Sequence, residues 1–260
     1  KLQNNFLKHR YTHIIHLAAM AGVRNSIQEP DKYLKNNIVG FFNIIELSKI
    51  IKVDHFIYAS SSSVYGNKKS FPLKEDNNTD NPESFYAATK KSNEIISYTY
   101  SSIHKLNCTG LRFFTVYGPW GRPDMALFKF VKKIYNNEKI DLFNKGEHYR
   151  DFTYIDDVCI SIYKLLKKPT KLKKIPFNIF NVCSENTVSL KKYINLIEKE
   201  VGKKSKKKIL GLQTGDVIKT NGSIRNLYKF IKYKPNTSIK TGINKFVIWY
   251  KKFYRLNNVK

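Results

Sequence analysis

Three observations in the sequence predict an α/β protein built on a parallel sheet with helices over it. Short apolar runs alternate with longer segments of helical periodicity, the order that strands joined by helical crossovers produce. The first two runs end in small or hydroxylated residues, Ala18-Ala19 and Ser60-Ser61-Ser62-Ser63. The composition is that of a globular chain: 260 residues, 42% hydrophobic and 14% aromatic, can bury a proper core.

His13-Ile14-Ile15-His16-Leu17 reads as the first buried strand. Leu34, Ile38, Phe41, Phe42, Ile45 and Leu47 then recur at helical spacing, which predicts a helix over roughly Asp31 to Ile51. His55-Phe56-Ile57-Tyr58-Ala59 is the second strand, and it runs straight into the serines. Asn, Asp and Pro between Asn67 and Pro82 mark a loop. Glu83 to His104 reads as a long helix and Cys108 to Phe114 as a third strand. Pro and Gly break the pattern from Gly118 to Asp124, where a smaller second lobe is expected to begin. Beyond it, Met125 to Asn136, Phe152 to Lys168, Ser189 to Val201 and Thr241 to Tyr254 read as helices, and Phe177 to Val182 as a strand that rejoins the sheet. The aromatic stripe of Phe128, Phe130 and Tyr135 reads as core, not as a stacking platform for bases.

No apolar run reaches the roughly 18 residues that a membrane-spanning helix needs, and the N-terminus carries no signal-peptide pattern. Cys108, Cys159 and Cys183 lie far apart with no CxxC pair, and the six histidines show no paired ligand spacing. No metal is therefore expected, and a reducing cytoplasmic setting fits. The net charge of +27 raises nucleic acid or an anionic membrane as partners. The excess is lysine, however, with arginine at only seven positions, and arginine is the better reader of bases and phosphates. The charge is read as solvated surface and the run Lys203-Lys204-Ser205-Lys206-Lys207-Lys208 as a solvated loop, not a localisation signal, with neither nucleic acid nor membrane as a partner.

The strongest local signal is Tyr86-Ala87-Ala88-Thr89-Lys90. Residues four apart share a helix face, so phenol and ammonium lie side by side. A nearby cation favours phenolate and lowers the tyrosine pKa from about 10 toward neutrality, which makes a usable base. Upstream, the serine-rich strand end leads into Val64-Tyr65-Gly66. With these residues the chain resembles the extended short-chain dehydrogenase/reductase family, and within it the sugar-nucleotide epimerases.

The resemblance implies that Ser61, Tyr86 and Lys90 form a catalytic triad. Further matches follow in order along the chain. His16-Leu17-Ala18-Ala19 is similar to the family's strand end whose residues, here Leu17, Ala18 and Ala19, line the cofactor; Asn37 matches a helix asparagine near the nicotinamide. Leu111 to Pro119 matches the strand and loop behind the nicotinamide ring, bringing in Phe114, and Ser60, Tyr86 and Lys90 complete the implied cofactor set. Arg150-Asp151-Phe152-Thr153-Tyr154-Ile155-Asp156-Asp157 matches the segment that turns an arginine, Arg150, toward the nucleotide diphosphate. Gln213-Thr214-Gly215-Asp216-Val217 resembles a QPGDV element beside the nucleoside, with Thr214 in place of its proline, and implies a substrate role for Asp216.

Gly118 to Ala126 resembles the version found in UDP-glucuronate 4-epimerases. Arginine is a planar, two-pronged donor that matches a carboxylate, so Arg122 is expected to face the acid group of the sugar; the alternative is that it pairs with Asp124 or holds the loop. Ser62, Ser63 and Thr115 can add hydroxyl donors. Sugar-nucleotide 4,6-dehydratases place Asp-Glu after the triad hydroxyl, and related decarboxylases carry a glutamate nearby. Ser62 and Ser63 stand there instead and cannot do acid–base work near neutral pH. Asp156-Asp157 looks like a carboxylate pair, but neighbours on a helix diverge by about 100°, which favours capping.

As fold, the resemblance implies a partial, doubly wound Rossmann-like parallel sheet with its first strands missing, over residues 1–118 and 151–182. A substrate lobe covers 119–150 and 183–260. It implies NAD as cofactor, a UDP-sugar as substrate and a homodimer in the intact protein. The reaction implied is epimerisation of UDP-glucuronate to UDP-galacturonate through a 4-keto sugar, for surface polysaccharide synthesis. No GxxGxxG loop precedes His13. The family's pyrophosphate-binding segment is thus expected upstream of Lys1, and these 260 residues alone are expected to be inactive and to bind NAD weakly. The His13 strand is expected to keep an uncovered edge. The alternatives are a decayed fragment of such an enzyme, an epimerase of UDP-glucose and UDP-galactose, and a basic nucleic-acid-binding module.

Overall fold

Strand and helix alternate from the start of the chain, as the spacing of its apolar residues requires. The computed structural model describes residues 2–9, 11–168, 174–212 and 217–256. The order is α1 (Leu2–Lys8), β1 (His13–His16), α2 (Val23–Gln28), α3 (Pro30–Tyr33), a π-helical turn (Leu34–Val39), α4 (Gly40–Ile50), β2 (His55–Ser61) and α5 (Phe85–His104). It continues through β3 (Cys108–Phe113), β4 (Thr115–Tyr117), α6 (Ala126–Tyr135), β5 (Lys139–Phe143), β6 (Tyr149–Tyr154), α7 (Ile155–Leu166) and β7 (Phe177–Val182). The last elements are β8 (Thr187–Ser189), α8 (Leu190–Val201), β9 (Lys206–Leu210), α9 (Arg225–Ile231) and α10 (Ile239–Phe253).

The main sheet runs β1-β2-β3-β7 with every pair parallel. The C-terminal ends of β2, β3 and β7 are level, with Ser61 opposite Phe113 and Phe113 opposite Val182, while β1 stops at His16 opposite Tyr58. In open parallel sheets this edge is where ligands bind. β1 pairs with β2 alone among the described residues, and Ile15 on it is 41% exposed, the open edge expected from the sequence. Two small sheets, β4-β6-β8 and β5-β9, lie outside the main one.

Three apolar clusters hold these layers together. Phe41, Ile45, Phe56 and Tyr58 pack α4 onto one face of the sheet, and Leu111, Val158, Phe180 and Leu227 pack α7 and α9 onto the other. The third joins α6, α8 and α10 around Phe128, Tyr193 and Phe246, and Phe130 lies in it as well, with Tyr135 packed against it. Phe152 stacks on Tyr193 with ring centres 4.1 Å apart.

The structure corrects two readings of the sequence. The helix expected from Phe152 starts at Ile155, because Phe152 to Tyr154 form the end of β6 and are buried in the third cluster. Asp156 and Asp157 then occupy the first helical turn, where the helix dipole favours acids. They face different partners: Asp157 accepts hydrogen bonds from Tyr233 (2.5 Å) and Thr237 N (3.1 Å), while Asp156 lies 3.7 Å from Lys245. The helix expected from Asp31 to Ile51 is continuous but changes geometry, with the wide turn Leu34–Val39 between α3 and α4.

Candidate active site

Two short segments place the catalytic candidates at the ends of the central strands. Ser61, the last residue of β2, caps the single 3-10 turn Ser62–Tyr65: its hydroxyl accepts from Ser63 N at 3.2 Å and donates to Ser63 Oγ at 3.1 Å. Ser62 and Ser63 are half-buried in that turn. On the neighbouring helix, Ser84 caps α5 by accepting from Ala87 N at 3.1 Å, which starts the helix just before Tyr86. One turn later comes Lys90, only 4% exposed, donating to the Ala59 carbonyl of β2 at 2.8 Å. Its Nζ lies 5.9 Å from the Tyr86 ring centre. Ser61, Tyr86 and Lys90 are thus brought together around one strand end.

Their titration behaviour departs from the simple expectation. Burial pushes the Tyr86 phenol up, and it is pulled back by hydrogen bonding from Ser61 and by the positive field of Arg122. Lys90 falls to about 8 through burial. The ammonium is turned to the Ala59 carbonyl, so the groups that favour phenolate are the serine and an arginine. His16, at the end of β1, falls to about 4 because it is buried and because Lys90 stands near.

Beside this cluster lies a shelf of small apolar residues. Leu17 and Ala18 are exposed and Ala19 half-buried after β1. Asn37 sits beneath the shelf, 1% exposed, with its amide engaged: Oδ1 accepts from Met20 N at 2.7 Å, and Nδ2 donates to Met20 O at 2.9 Å and Thr89 Oγ1 at 3.1 Å. The π-helical turn is the segment that carries Asn37 to this loop, a use such wide turns often have. Ser60 donates to Glu94 at 2.6 Å, and Phe114 is buried in the core against Tyr65. The exposed shelf, the buried ammonium and the phenol at level strand ends fit the nicotinamide half of NAD.

On the other side opens a cleft of about 530 Å³. Thr115, Arg122 and Arg150 line it, three of the substrate residues expected from the sequence. Gly22 shapes one wall: its φ of 118° is open only to glycine, and its carbonyl accepts the Tyr33 hydroxyl at 2.8 Å. Tyr33 in turn packs edge-on against Tyr86, with centres 6.3 Å apart. Gly118 gives the loop before Arg122 its bend at φ 142°, where a Cβ would stand 2.5 Å from Ile155. Arg122 makes a two-pronged pair with Asp124, Nε to Oδ1 being 2.9 Å, so the expected alternative partner is present within the cleft itself. Arg150 donates to the carbonyls of Tyr149 (3.1 Å) and Ile218 (2.9 Å). Asp216 lies outside the described residues.

Arg24, Lys129, Lys133 and His148 also line the cleft and were missed in the sequence. The sequence offered for Arg24 no more than the scarcity of arginine: the chain has seven, and the structure brings three of them to this cleft. Among the described residues no helix is long and apolar enough to cross a membrane.

Comparison with known proteins agrees with this geometry. The profile of the NAD dependent epimerase/dehydratase family matches residues 1–183. Protein CapI of Staphylococcus aureus is 47% identical over 255 residues, covering 93% of this chain and 76% of that protein. A probable UDP-glucuronate 4-epimerase of Rhizobium meliloti is 42% identical over 256 residues, covering 93% and 75%. Among solved structures, the UDP-glucuronic acid 4-epimerase of Bacillus cereus, in complex with UDP-glucuronic acid and NAD, superimposes with a TM-score of 0.90 at 32% identity, covering 98% of this chain and 79% of that one. With the family profile spanning well over half of its length, the chain belongs to the NAD dependent epimerase/dehydratase family.

Proposed function

We propose that this protein is a UDP-sugar 4-epimerase acting on UDP-glucuronate to give UDP-galacturonate, with NAD as its cofactor. The observation that carries the reading is the meeting of Ser61, Tyr86 and Lys90 beside a cleft lined by Arg24, Arg122 and Arg150. A sugar acid on a diphosphate is doubly anionic, and arginine suits both its groups. The relatives' names and the ligands of the Bacillus cereus complex support the same choice.

NAD, when bound, supplies a reversible acceptor for the hydride on C4 of the sugar; Leu17, Ala18, Ala19 and Lys90 would hold its nicotinamide half, with Asn37 fixing the shelf from beneath and the buried Ser60 and Phe114 supporting the strand ends behind it. Tyr86 as phenolate accepts the proton of the 4-hydroxyl, and Ser61 donates a hydrogen bond to the same oxygen, which becomes a carbonyl. The 4-keto sugar turns over, C4 is reduced on its other face, and Tyr86 returns the proton. Arg122 gives up Asp124 and binds the C5 carboxylate with Thr115, Ser62 and Ser63 as hydroxyl donors. Held in this way, the β-keto acid keeps its CO₂. Arg150 and Asp216 serve the diphosphate and nucleoside.

The division into a cofactor part, 1–118 and 151–182, and a substrate lobe, 119–150 and 183–260, follows the same reading. The thiols of Cys108, Cys159 and Cys183 suit the reducing cytoplasm. Ile95, Tyr98 and Ile103 on α5 and Phe42 on α4 are each at least 47% exposed, an apolar face suited to a homodimer.

The test is to incubate the protein with NAD and with UDP-glucuronate or UDP-glucose, following the sugar nucleotides by proton NMR and collecting any CO₂ in alkali. The expected outcome is an equilibrium mixture with UDP-galacturonate and no CO₂. Turnover of UDP-glucose without turnover of UDP-glucuronate overturns the substrate, and release of CO₂ overturns the reaction.

A further inference from the structure

Glu94 is a buried carboxylate for which the reaction above has no use. It follows Tyr86 and Lys90 at the same four-residue spacing on α5, so all three form one stripe toward the sheet. It is 4% exposed, and a charge at that depth needs partners. Its Oε1 accepts from Ser60 Oγ at 2.6 Å and from Arg112 Nε at 2.9 Å, and its Oε2 from Arg112 Nη2 at 2.8 Å. Ser60 and Arg112 are register partners across β2 and β3. Arg112 extends the network: Nη1 donates to the Glu75 carbonyl at 3.2 Å, and the guanidinium lies 4.8 Å over the Tyr65 ring. The Tyr65 hydroxyl then donates to Asn181 on β7 at 2.7 Å. One carboxylate thus ties the middle of α5 to two strand ends directly and to a third through Arg112 and Tyr65.

Stability does not explain this arrangement, since a buried ion pair exchanged for apolar groups of similar volume is often neutral or stabilising. Register does. Apolar contacts between helix and sheet tolerate small slides and rotations, whereas three hydrogen bonds at Glu94 allow neither. Glu94 lies about 12 Å along the helix from Tyr86, close enough for α5 to carry the constraint. Ser60, held by the same carboxylate, is the chain neighbour of Ser61, so both halves of the Tyr86–Ser61 contact are set from one point.

We propose that Glu94 and Arg112 are positioning residues, locking α5 to the ends of β2 and β3 so that the Tyr86 phenol meets the Ser61 hydroxyl. The proposal rests on the epimerase reading above. It is tested with the apolar exchange Glu94→Leu/Arg112→Met and with Glu94→Gln, comparing melting temperature, kcat and KM for UDP-glucuronate. A displacement of about 1 Å at the reacting groups is expected to lower kcat of the double variant ~100-fold, with KM within about threefold because the cleft arginines are untouched. Its melting temperature is expected to stay near that of the parent. A folded double variant with unchanged kcat overturns the proposal. Should the double variant not fold, Glu94→Gln decides: kcat is expected to fall by roughly tenfold at unchanged KM, and full kcat overturns. Should the parent itself turn over no UDP-sugar, the epimerase reading fails, and a crystal structure of Glu94→Gln decides the positioning role alone. Tyr86 Oη displaced from Ser61 Oγ relative to the parent supports it, and an unmoved pair overturns it.

Discussion

Lys90 reaches the Ala59 carbonyl at 2.8 Å and, through burial, gives up its proton at about pH 8. Below that value it is an ammonium held by the Ala59 carbonyl; above it the charge that would help hold the nicotinamide half of NAD is lost. The kcat/KM of the free enzyme is therefore expected to decline above about pH 8, and a profile flat to pH 10 contradicts this. Tyr86→Phe removes the proton acceptor and is expected to lower kcat by about 10²–10⁴-fold while UDP-sugar affinity, measured calorimetrically, stays the same. For Arg122→Ala the expected loss is a charge-assisted hydrogen bond of roughly 1.5–3 kcal/mol, a ~10–100-fold rise in KM for UDP-glucuronate with little change for UDP-glucose. Equal effects on both sugars would assign Arg122 to the loop through Asp124. Away from the site, His55 is buried, bonded to Thr109 Oγ1 at 2.8 Å, and held down to about 4 by burial and by His13. An unfolded chain takes up that proton near 6.5, so this contribution to stability is whole above pH 6.5 and fades as the pH falls toward 4. The loss approaches roughly 3 kcal/mol and is readable as a drop in melting temperature that His55→Gln makes shallower.

At the scale of elements, α5 shows what the sequence could and could not convey. Its span and the Tyr86–Lys90 face follow from spacing alone, and the structure starts it at Phe85, two residues later than expected, behind the Ser84 cap. The third member of the stripe, Glu94, was equally legible as a pattern, yet its meaning depends on Arg112, which a strand places opposite Ser60 and which no local pattern reveals. β2, β3 and β7 could be read because short runs rich in aromatic and β-branched residues between longer helical patterns mark strands. The short strands β4, β5, β8 and β9 could not: three to five residues carry too little periodicity, and β9 is largely lysine. Phe152 was misassigned for a related reason, since aromatic and β-branched residues before a helix fit either element until tertiary packing decides. Arg24 was passed over because the turn at Gly22 that carries it into the cleft has no signature in its own neighbourhood.

Across the whole molecule, a surface that favours lysine over arginine conceals a concentrated site. The +27 charge is mostly lysine, while four of the seven arginines lie in the cleft, as Arg24, Arg122 and Arg150, or under the strand ends, as Arg112. In the proposed reading, fold and chemistry meet at the C-terminal ends of the central strands, with the shelf after β1 taking the cofactor and the arginine-lined cleft taking the anionic sugar. In the proposed reaction Tyr86 takes only the hydroxyl proton, so the hydrogen on C4 does not exchange with water. Turnover of UDP-glucuronate carrying deuterium at C4 measures this directly. The UDP-galacturonate formed is expected to keep the label at C4, at a rate slowed by the heavier isotope; washout of deuterium into solvent would contradict the mechanism.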